Sequence, residues 1–308
     1  GLNQYLYVLG TDPAKAQPIS NVRVRVKEQG SLVVSLLVEA DAPGARKYST
    51  EIRLVEGIDR VDLITNIDKL PVRDKEGVHI AFPFSIPGGQ LRYDVADSIV
   101  RPEADQLTGS CKNFFSVQSW VDVSNSNYGV TWATANAPLI EIGAITAEQP
   151  WMKTIQPSST IYSYVMNNYW HTNYKADQEG PVSFTYSILP HAAFNAVEAA
   201  KFGTDRREPL IASAAASAPP RPSLLHLSSP NILISSIKPM PDGSWLAYLY
   251  NPTDMAQKLT VLWNDGSTAS IHSSDAAGKI ENGSRDLGIA ALGSMYLRID
   301  PSAGQHKQ

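Results

Sequence analysis

Residues 20–38 read Ser20-Asn-Val-Arg-Val-Arg-Val-Lys-Glu-Gln-Gly-Ser-Leu-Val-Val-Ser-Leu-Leu-Val38. Val22, Val24 and Val26 alternate with Arg23, Arg25 and Lys27. After Glu28-Gln-Gly30, the residues Leu32, Val34, Leu36 and Val38 take up the same two-residue period. Successive side chains of a strand point to opposite faces. The pattern therefore writes one apolar face and one charged face, joined through a glycine-containing turn: a β-hairpin.

The theme repeats in both directions. Leu2–Leu9, Tyr48–Val55, Arg60–Ile67 and Val78–Ile86 read as strands, followed by Ser116–Val123, Gly129–Thr134, Ser159–Val165 and Val182–Leu189. In the fourth of these, Val78, Ile80, Phe82, Phe84 and Ile86 share a face. Pro83 falls on the other, which predicts an edge strand or a bulge. Strand signals at this spacing, separated by Gly, Pro and Asn, predict an all-β sandwich. One helix is expected, Ala192–Phe202, with Phe194, Val197 and Lys201 along one side and Gly203 as its stop signal. Residues 211–222 are small and then proline-rich, a linker or surface strap. The two-residue period returns at Leu224–Leu227, Ile232–Ile237, Trp245–Tyr250, Leu259–Trp263 and Ser294–Ile299. The turns between them are Asp242-Gly243, Asn264-Asp-Gly266 and Asn282-Gly283. The expected organisation is a large β-supersandwich over 1–210, a linker over 211–222, a small β-sandwich over 223–301 and a frayed tail over 302–308. The chain opens without a Met and inside a strand, so it is expected to be a piece of a longer protein.

Composition narrows the function. Lys+Arg 26 against Asp+Glu 30 gives a net charge of -4 over 308 residues, without the basic excess of a nucleic-acid protein. With 43% hydrophobic residues the chain is expected to fold, and no run of 18 uncharged apolar residues offers a membrane span. Cys111, alone of its kind, makes neither an internal disulfide nor a Cys-rich zinc site. His79, His171, His191, His226, His272 and His306 are not paired at ligand spacing, so no metal site is expected in this segment. The nucleophile elbow Gly-x-Ser-x-Gly and the phosphate loop are missing, and no nucleotide cofactor is expected.

Two loops carry candidate chemistry. The first runs Tyr93-Asp94-Val-Ala-Asp97 and then Glu103-Ala-Asp105-Gln106, interleaved with Arg92 and Arg101. It reads either as a solvated loop or as a donor of polar groups to a sugar pocket. The second, Asn167–Tyr174, sets Tyr169 and Trp170 among Asn168, Thr172 and Asn173, and reads either as an ordinary turn with a core Trp or as a sugar-binding segment. Sugars are held by an aromatic face beneath the ring and amide partners for its hydroxyls. Trp120, Trp132, Trp151, Trp245 and Trp263 lie in or beside strand patterns and are expected in the core.

Several phrases together resemble the C-terminal β-region of the family 38 glycoside hydrolases, the retaining α-mannosidases. They are Lys75-Glu-Gly-Val-His-Ile-Ala-Phe-Pro-Phe84, Arg101-Pro-Glu-Ala-Asp-Gln-Leu-Thr-Gly-Ser110, Asn125-Ser-Asn-Tyr-Gly-Val-Thr131 and Asn136-Ala-Pro-Leu139. Asn168-Tyr-Trp-His-Thr-Asn173, Gln178-Glu-Gly180 and Phe184-Thr-Tyr-Ser-Ile-Leu-Pro-His191 follow, and Ile234–Lys238 and Tyr248-Leu-Tyr-Asn-Pro252 extend the likeness to the tail. The resemblance implies a galactose-mutarotase-like supersandwich followed by a small β-sandwich. It implies that the catalytic residues and the zinc belong to an upstream barrel, with a helical domain between. This segment would be inactive alone and would shape one side of a mannoside-binding cleft. The residues matching that position are Asp97, Arg101, Asp105, Gln106, Trp170 and Asn173. A periplasmic or extracellular setting is expected for the parent. Three alternatives stand beside this one: a free-standing carbohydrate-binding module, a mutarotase-like epimerase, and a purely structural assembly surface. The epimerase would need a base and an acid such as Glu76 and His79, yet three apart on a strand these face opposite sides.

Overall fold

The computed structural model describes residues 1–308 except 147–148, 157, 171–174, 213, 215–223, 264–268, 282–286 and 302–308. Two units emerge: Gly1–Val95, Val100–Phe194 and Asp205–Arg207 form one; Ala96–Ile99, Asn195–Thr204 and Glu208–Gln308 form the other.

In the first unit the strands are β1 (Gln4–Leu9), β2 (Gln17–Pro18), β3 (Ser20–Gln29), β4 (Val33–Asp41), β5 (Ala45–Val55), β6 (Val61–Lys69), β7 (Glu76–Pro83) and β8 (Gln90–Val95). They continue with β9 (Ser98–Val100), whose first two residues are counted with the second unit, β10 (Phe115–Ser116), β11 (Trp120–Ser124), β12 (Gly129–Thr134), β13 (Leu139–Ile142), β14 (Thr160–Asn167) and β15 (Gly180–His191). They make a six-stranded sheet, β10-β13-β14-β7-β1-β2, and a nine-stranded sheet, β3-β4-β5-β6-β15-β12-β11-β8-β9. One hydrophobic core lies between them, so the expected all-β sandwich is what the chain forms. At its centre Phe82 of the smaller sheet meets Trp132 and Tyr186 of the larger at ring-centroid distances of 5.3 and 5.0 Å. Alternation explains the arrangement. Val78, Ile80 and Phe82 point inward from β7, as do Val121 and Val123 from β11, and all five are buried. Gly44 sits at φ +74 with the Tyr7 ring where a side chain would go, so this turn admits only glycine.

The hairpin over 20–38 forms as β3 and β4. Two sequence expectations change. β7 lies between β14 and β1, not at an edge; Pro83 is its last residue, and Phe84 N–H turns back to the Phe82 carbonyl at 3.0 Å, so the missing donor costs no ladder bond. The helix, α1 (Ala196–Arg207), begins and ends later than expected. Asn195 caps it by accepting the Val197 and Glu198 N–H groups, and Glu198 and Arg206–Arg207 complement the two ends of its dipole. Gly203 is a buried helix-interior residue without a positive φ, hence no stop.

The second unit contains β16 (Leu225–Leu227), β17 (Leu233–Pro239), β18 (Trp245–Tyr250), β19 (Gln257–Leu259), β20 (Val261–Trp263), β21 (Ala269–Ser274), β22 (Leu287–Ile289) and β23 (Ser294–Pro301). Its largest sheet is β17-β18-β23-β21, and it has its own core around Ala247, Leu249, Trp263, Leu297 and Ile299. Fully buried Asn251 staples its turns, donating to the Met255 and Ala290 carbonyls at 2.8 Å each. The glycine turn at Asp242-Gly243 forms, with Gly243 at φ +85. Asn264-Asp-Gly266, Asn282-Gly283, most of 211–222 and the tail 302–308 lie outside the described residues.

Candidate functional site

Two long loops of the first unit, residues 101–114 and 143–159, lie between β9 and β10 and between β13 and β14. They are fastened by side chains instead of ladder bonds. Asn113, 3% exposed, shares its Nδ2 hydrogens among the carbonyls of Thr146, Gln149 and Pro150 at 2.8–3.3 Å. Its Oδ1 accepts from Met152 N–H at 3.0 Å and from Cys111 Sγ at 3.2 Å. Glu103 accepts Ile155 N–H on Oε1 and meets Lys112 Nζ on Oε2, both at 2.8 Å. The Lys112 ammonium holds the Glu103 carboxyl below its ordinary range. A buried amide that satisfies backbone groups on a neighbouring loop makes the two loops one piece.

Within the first loop Arg101 forks onto Asp105 through Nε and Nη2 at 2.9 and 2.8 Å, and the Arg101 N–H adds a third bond at 2.8 Å. This bidentate pair holds Asp105 below the usual carboxylate range. Gln106 Oε1 accepts the Glu103 N–H at 3.2 Å. Arg101, Asp105 and Gln106 are thus brought together as the framework of the loop. Arg101 and Glu103 also border a cavity of about 270 Å³ with Gln90, Leu91, Ile142 and Ile155. Asp97 belongs to the second unit, at φ +61, bonded to Tyr248, whose hydroxyl is pushed up first by burial and then by Asp97.

Trp170, 39% exposed, leans edge-on against Phe114 at 6.3 Å and Tyr169 at 6.2 Å. Asn168 fixes the segment that carries it. Its Oδ1 accepts Glu76 N–H at 2.6 Å, and its Nδ2 donates to the Val72 and Ala176 carbonyls. Asn173 and His171 lie outside the described residues. Trp151 is 66% exposed, with Nε1 on the Gly109 carbonyl. This corrects the core expectation for Trp151, which lies in no strand and so has no strand face to bury its indole. Trp120, Trp132 and Trp263 are buried as expected. Beneath the aromatic layer Tyr164 stacks on His79 at 4.9 Å, and His79 Nδ1 lies 2.7 Å from Glu141 Oε2, both side chains fully buried. Glu76 points the other way, paired with Lys69 at 2.6 Å and Tyr7 at 2.6 Å. Glu76 and His79 therefore serve separate clusters on opposite faces of β7.

A second polar centre was not legible in the sequence. Asp122, fully buried on the outer face of the nine-stranded sheet, accepts from Ser124 at 2.5 Å, Thr131 at 3.0 Å and His191 Nε2 at 2.7 Å. Gly129 lies across from both Ser124 and His191; a Cβ there would stand 2.6 Å from His191 Cε1. The Asp122 carboxylate raises the His191 pKa above its ordinary 6.5. The one available signal was an Asp in the middle of the alternation Trp120-Val-Asp-Val-Ser124. Its acceptor set is filled by protein groups, which marks a structural centre. Among the described residues no three His, Cys, Asp or Glu side chains gather as a metal-ligand set, and no helix is long and apolar enough to cross a membrane.

Residues 7–137 match the family model described as the glycosyl hydrolases family 38 C-terminal domain. No curated protein matches the chain. Among solved structures, an alpha-mannosidase from Enterococcus faecalis V583 is 14% identical with a TM-score of 0.73, over 97% of this chain and 38% of its own. A glycosyl hydrolase family 38 protein from Enterococcus faecalis is 14% identical with a TM-score of 0.74, over 97% of this chain and 40% of its own. The chain spans about two fifths of the length of these structures. The resemblance read from the sequence, to the C-terminal β-region of family 38 glycoside hydrolases, is borne out.

Proposed function

We propose that this chain is the C-terminal β-portion of an α-mannosidase-like glycoside hydrolase and forms one wall of its sugar cleft. The reactive carboxylates and the zinc then reside on an upstream catalytic domain, and the wall also adjoins the helical domain of the same polypeptide. The observation that carries this reading is the family match over 7–137 together with fold likeness over 97% of the chain. The chemistry of the loops supports it. Retaining glycoside hydrolysis needs two carboxyl groups about 5 Å apart, one free to attack and one to donate a proton. Among the described residues lining the 270 Å³ cavity the only carboxylate is Glu103, which is committed to Lys112 and the Ile155 N–H. Asp105 beside it is forked by Arg101. These groups suit positioning. The splinted loops hold the Trp151 indole at the surface and the segment fixed by Asn168 holds that of Trp170, where an aromatic face can lie against the C–H side of a sugar ring.

The test is hydrolysis of 4-nitrophenyl α-mannoside with added zinc. The chain alone is expected to show no turnover above buffer, and the polypeptide extended by its upstream coding sequence is expected to turn over. Turnover by the chain alone overturns the reading. The exposed indoles favour one second reading, a carbohydrate-binding module. Saturable quenching of Trp fluorescence by mannose oligomers, lost in Trp170→Ala, would support it; no quenching at high ligand would remove it.

A further inference from the structure

The nine-stranded sheet outnumbers its partner, and β3 is its outermost strand. Every β3 residue from Ser20 to Gln29 is exposed, and among the described residues β3 pairs with β4 alone. Val22, Val24 and Val26 are exposed by 51%, 59% and 57%, and Val26 borders a groove of about 350 Å³ with Glu28, Gln29, Val34, Leu36, Ile52 and Leu54. The opposite face of β3 bears Arg23, Arg25 and Lys27. Arg25 reaches Glu39 on β4 at 3.4 Å, Lys27 pairs with Glu51 on β5, and Arg53 shares Glu51 at 3.3 Å. Register shifts flank the regular stretch Arg23–Val26, which pairs with Leu36–Glu39.

An open edge presents alternate N–H and C=O groups to any strand laid beside it. That strand must set one row of side chains beside the valines and the other row beside the cations. A second β3 laid in this way brings Arg23, Arg25 and Lys27 against the same three cations, and like charges directly opposite are destabilising. A strand with carboxylates in that row meets complementary charge, while its aliphatic row covers the valines. We propose that the free edge of β3 is a strand-addition site for an extended segment of another polypeptide that alternates aliphatic and acidic residues. Main-chain bonds supply the affinity and the alternating rows the selectivity.

The probe is a fluorescein-labelled octapeptide of alternating valine and glutamate. The control peptide holds the same eight residues in two blocks. Fluorescence anisotropy is expected to rise saturably with the alternating peptide and to stay flat with the block peptide. Affinity is expected to fall about tenfold or more, roughly 1.4 kcal/mol, in R25E/K27E and again in Val24→Lys. It should also fall with salt, as the Debye length shrinks from ~10 Å at 0.1 M to ~3 Å at 1 M. These positions are exposed, so an unchanged thermal midpoint shows that the variants fold. Absence of saturable binding overturns the proposal, as does binding that ignores charge reversal. A concentration-dependent dimer in sedimentation, dissolved by Val24→Lys, also overturns it by seating a second copy on this edge.

Discussion

Val22, Val24 and Val26 at one end of the nine-stranded sheet are more than half exposed, whereas Val121 and Val123 towards the other end are 0% and 1% exposed. Both sets alternate with polar residues, Arg-Arg-Lys in β3 and Asp122 and Ser124 in β11. Alternation fixes a strand and sorts its side chains onto two faces. It does not say what lies opposite. β11 sits where the six-stranded sheet provides Phe82, Ile140 and Ile161, and β3 sits where that sheet has run out. The outer faces differ in the same way. At the β11 end a carboxylate is withdrawn from water and satisfied by three side chains; at the β3 end the charges pair in solvent.

The comparison is sharpest under substitution. Trp132→Ala empties the centre of the core and is expected to cost about 3–5 kcal/mol in guanidinium unfolding; a loss below ~1 kcal/mol would break the contrast. Asp122→Ala leaves Ser124, Thr131 and His191 without their acceptor, for an expected loss of about 3 kcal/mol. Glu39→Ala at the other end removes a solvent-exposed ion pair and should change stability by less than ~0.5 kcal/mol in the same assay. Gly129→Ala drives a methyl between Ser124 and His191 and should cost about 1–3 kcal/mol, with the same shift expected in thermal melting. His191 gives a pH signature. Its folded-state pKa is raised, chiefly by the hydrogen bond to Asp122. Its contribution is therefore complete below the unfolded value near 6.5 and disappears as pH rises through the folded value. The melting-temperature gap between the native chain and His191→Gln should be widest at acidic pH and close on the alkaline side; a gap that widens with pH would refute the assignment. Val24→Ala is expected to move stability by no more than ~0.5 kcal/mol, and a larger loss would mean that this face is covered.

The hairpin, most first-unit strands and the sandwich were legible because period two is a local property. Val261–Trp263 and Trp245–Tyr250 were legible for the same reason, while Ala269–Ser274 and Leu287–Ile289 were not, being polar or too short to show a face. The helix ends slipped because a glycine tolerated in a helix interior looks the same in sequence as one that stops it, and Asn195 was the better start signal. Trp151 was misplaced because hydrophobicity does not tell a loop indole from a core one. At the site, Arg101, Asp105 and Gln106 were found as a group, since all lie within one loop. Their mutual pairing emerged only from geometry. Asn113 gave no sequence signal and Asn168 was read only as an amide beside the aromatics, because their partners are backbone groups up to 96 residues away.

The way Asn113 and Glu103 tie residues 101–114 to 143–159 has an evolutionary corollary. The fastenings occupy a few fixed positions, and the stretch beyond Asp105 and Gln106, 107 to 110, holds the exposed Leu107 and no core side chain. Residues there are free to be rewritten while the scaffold keeps its shape. Related chains should therefore diverge fastest at the tip of this loop and retain the anchors, without a toll on folding.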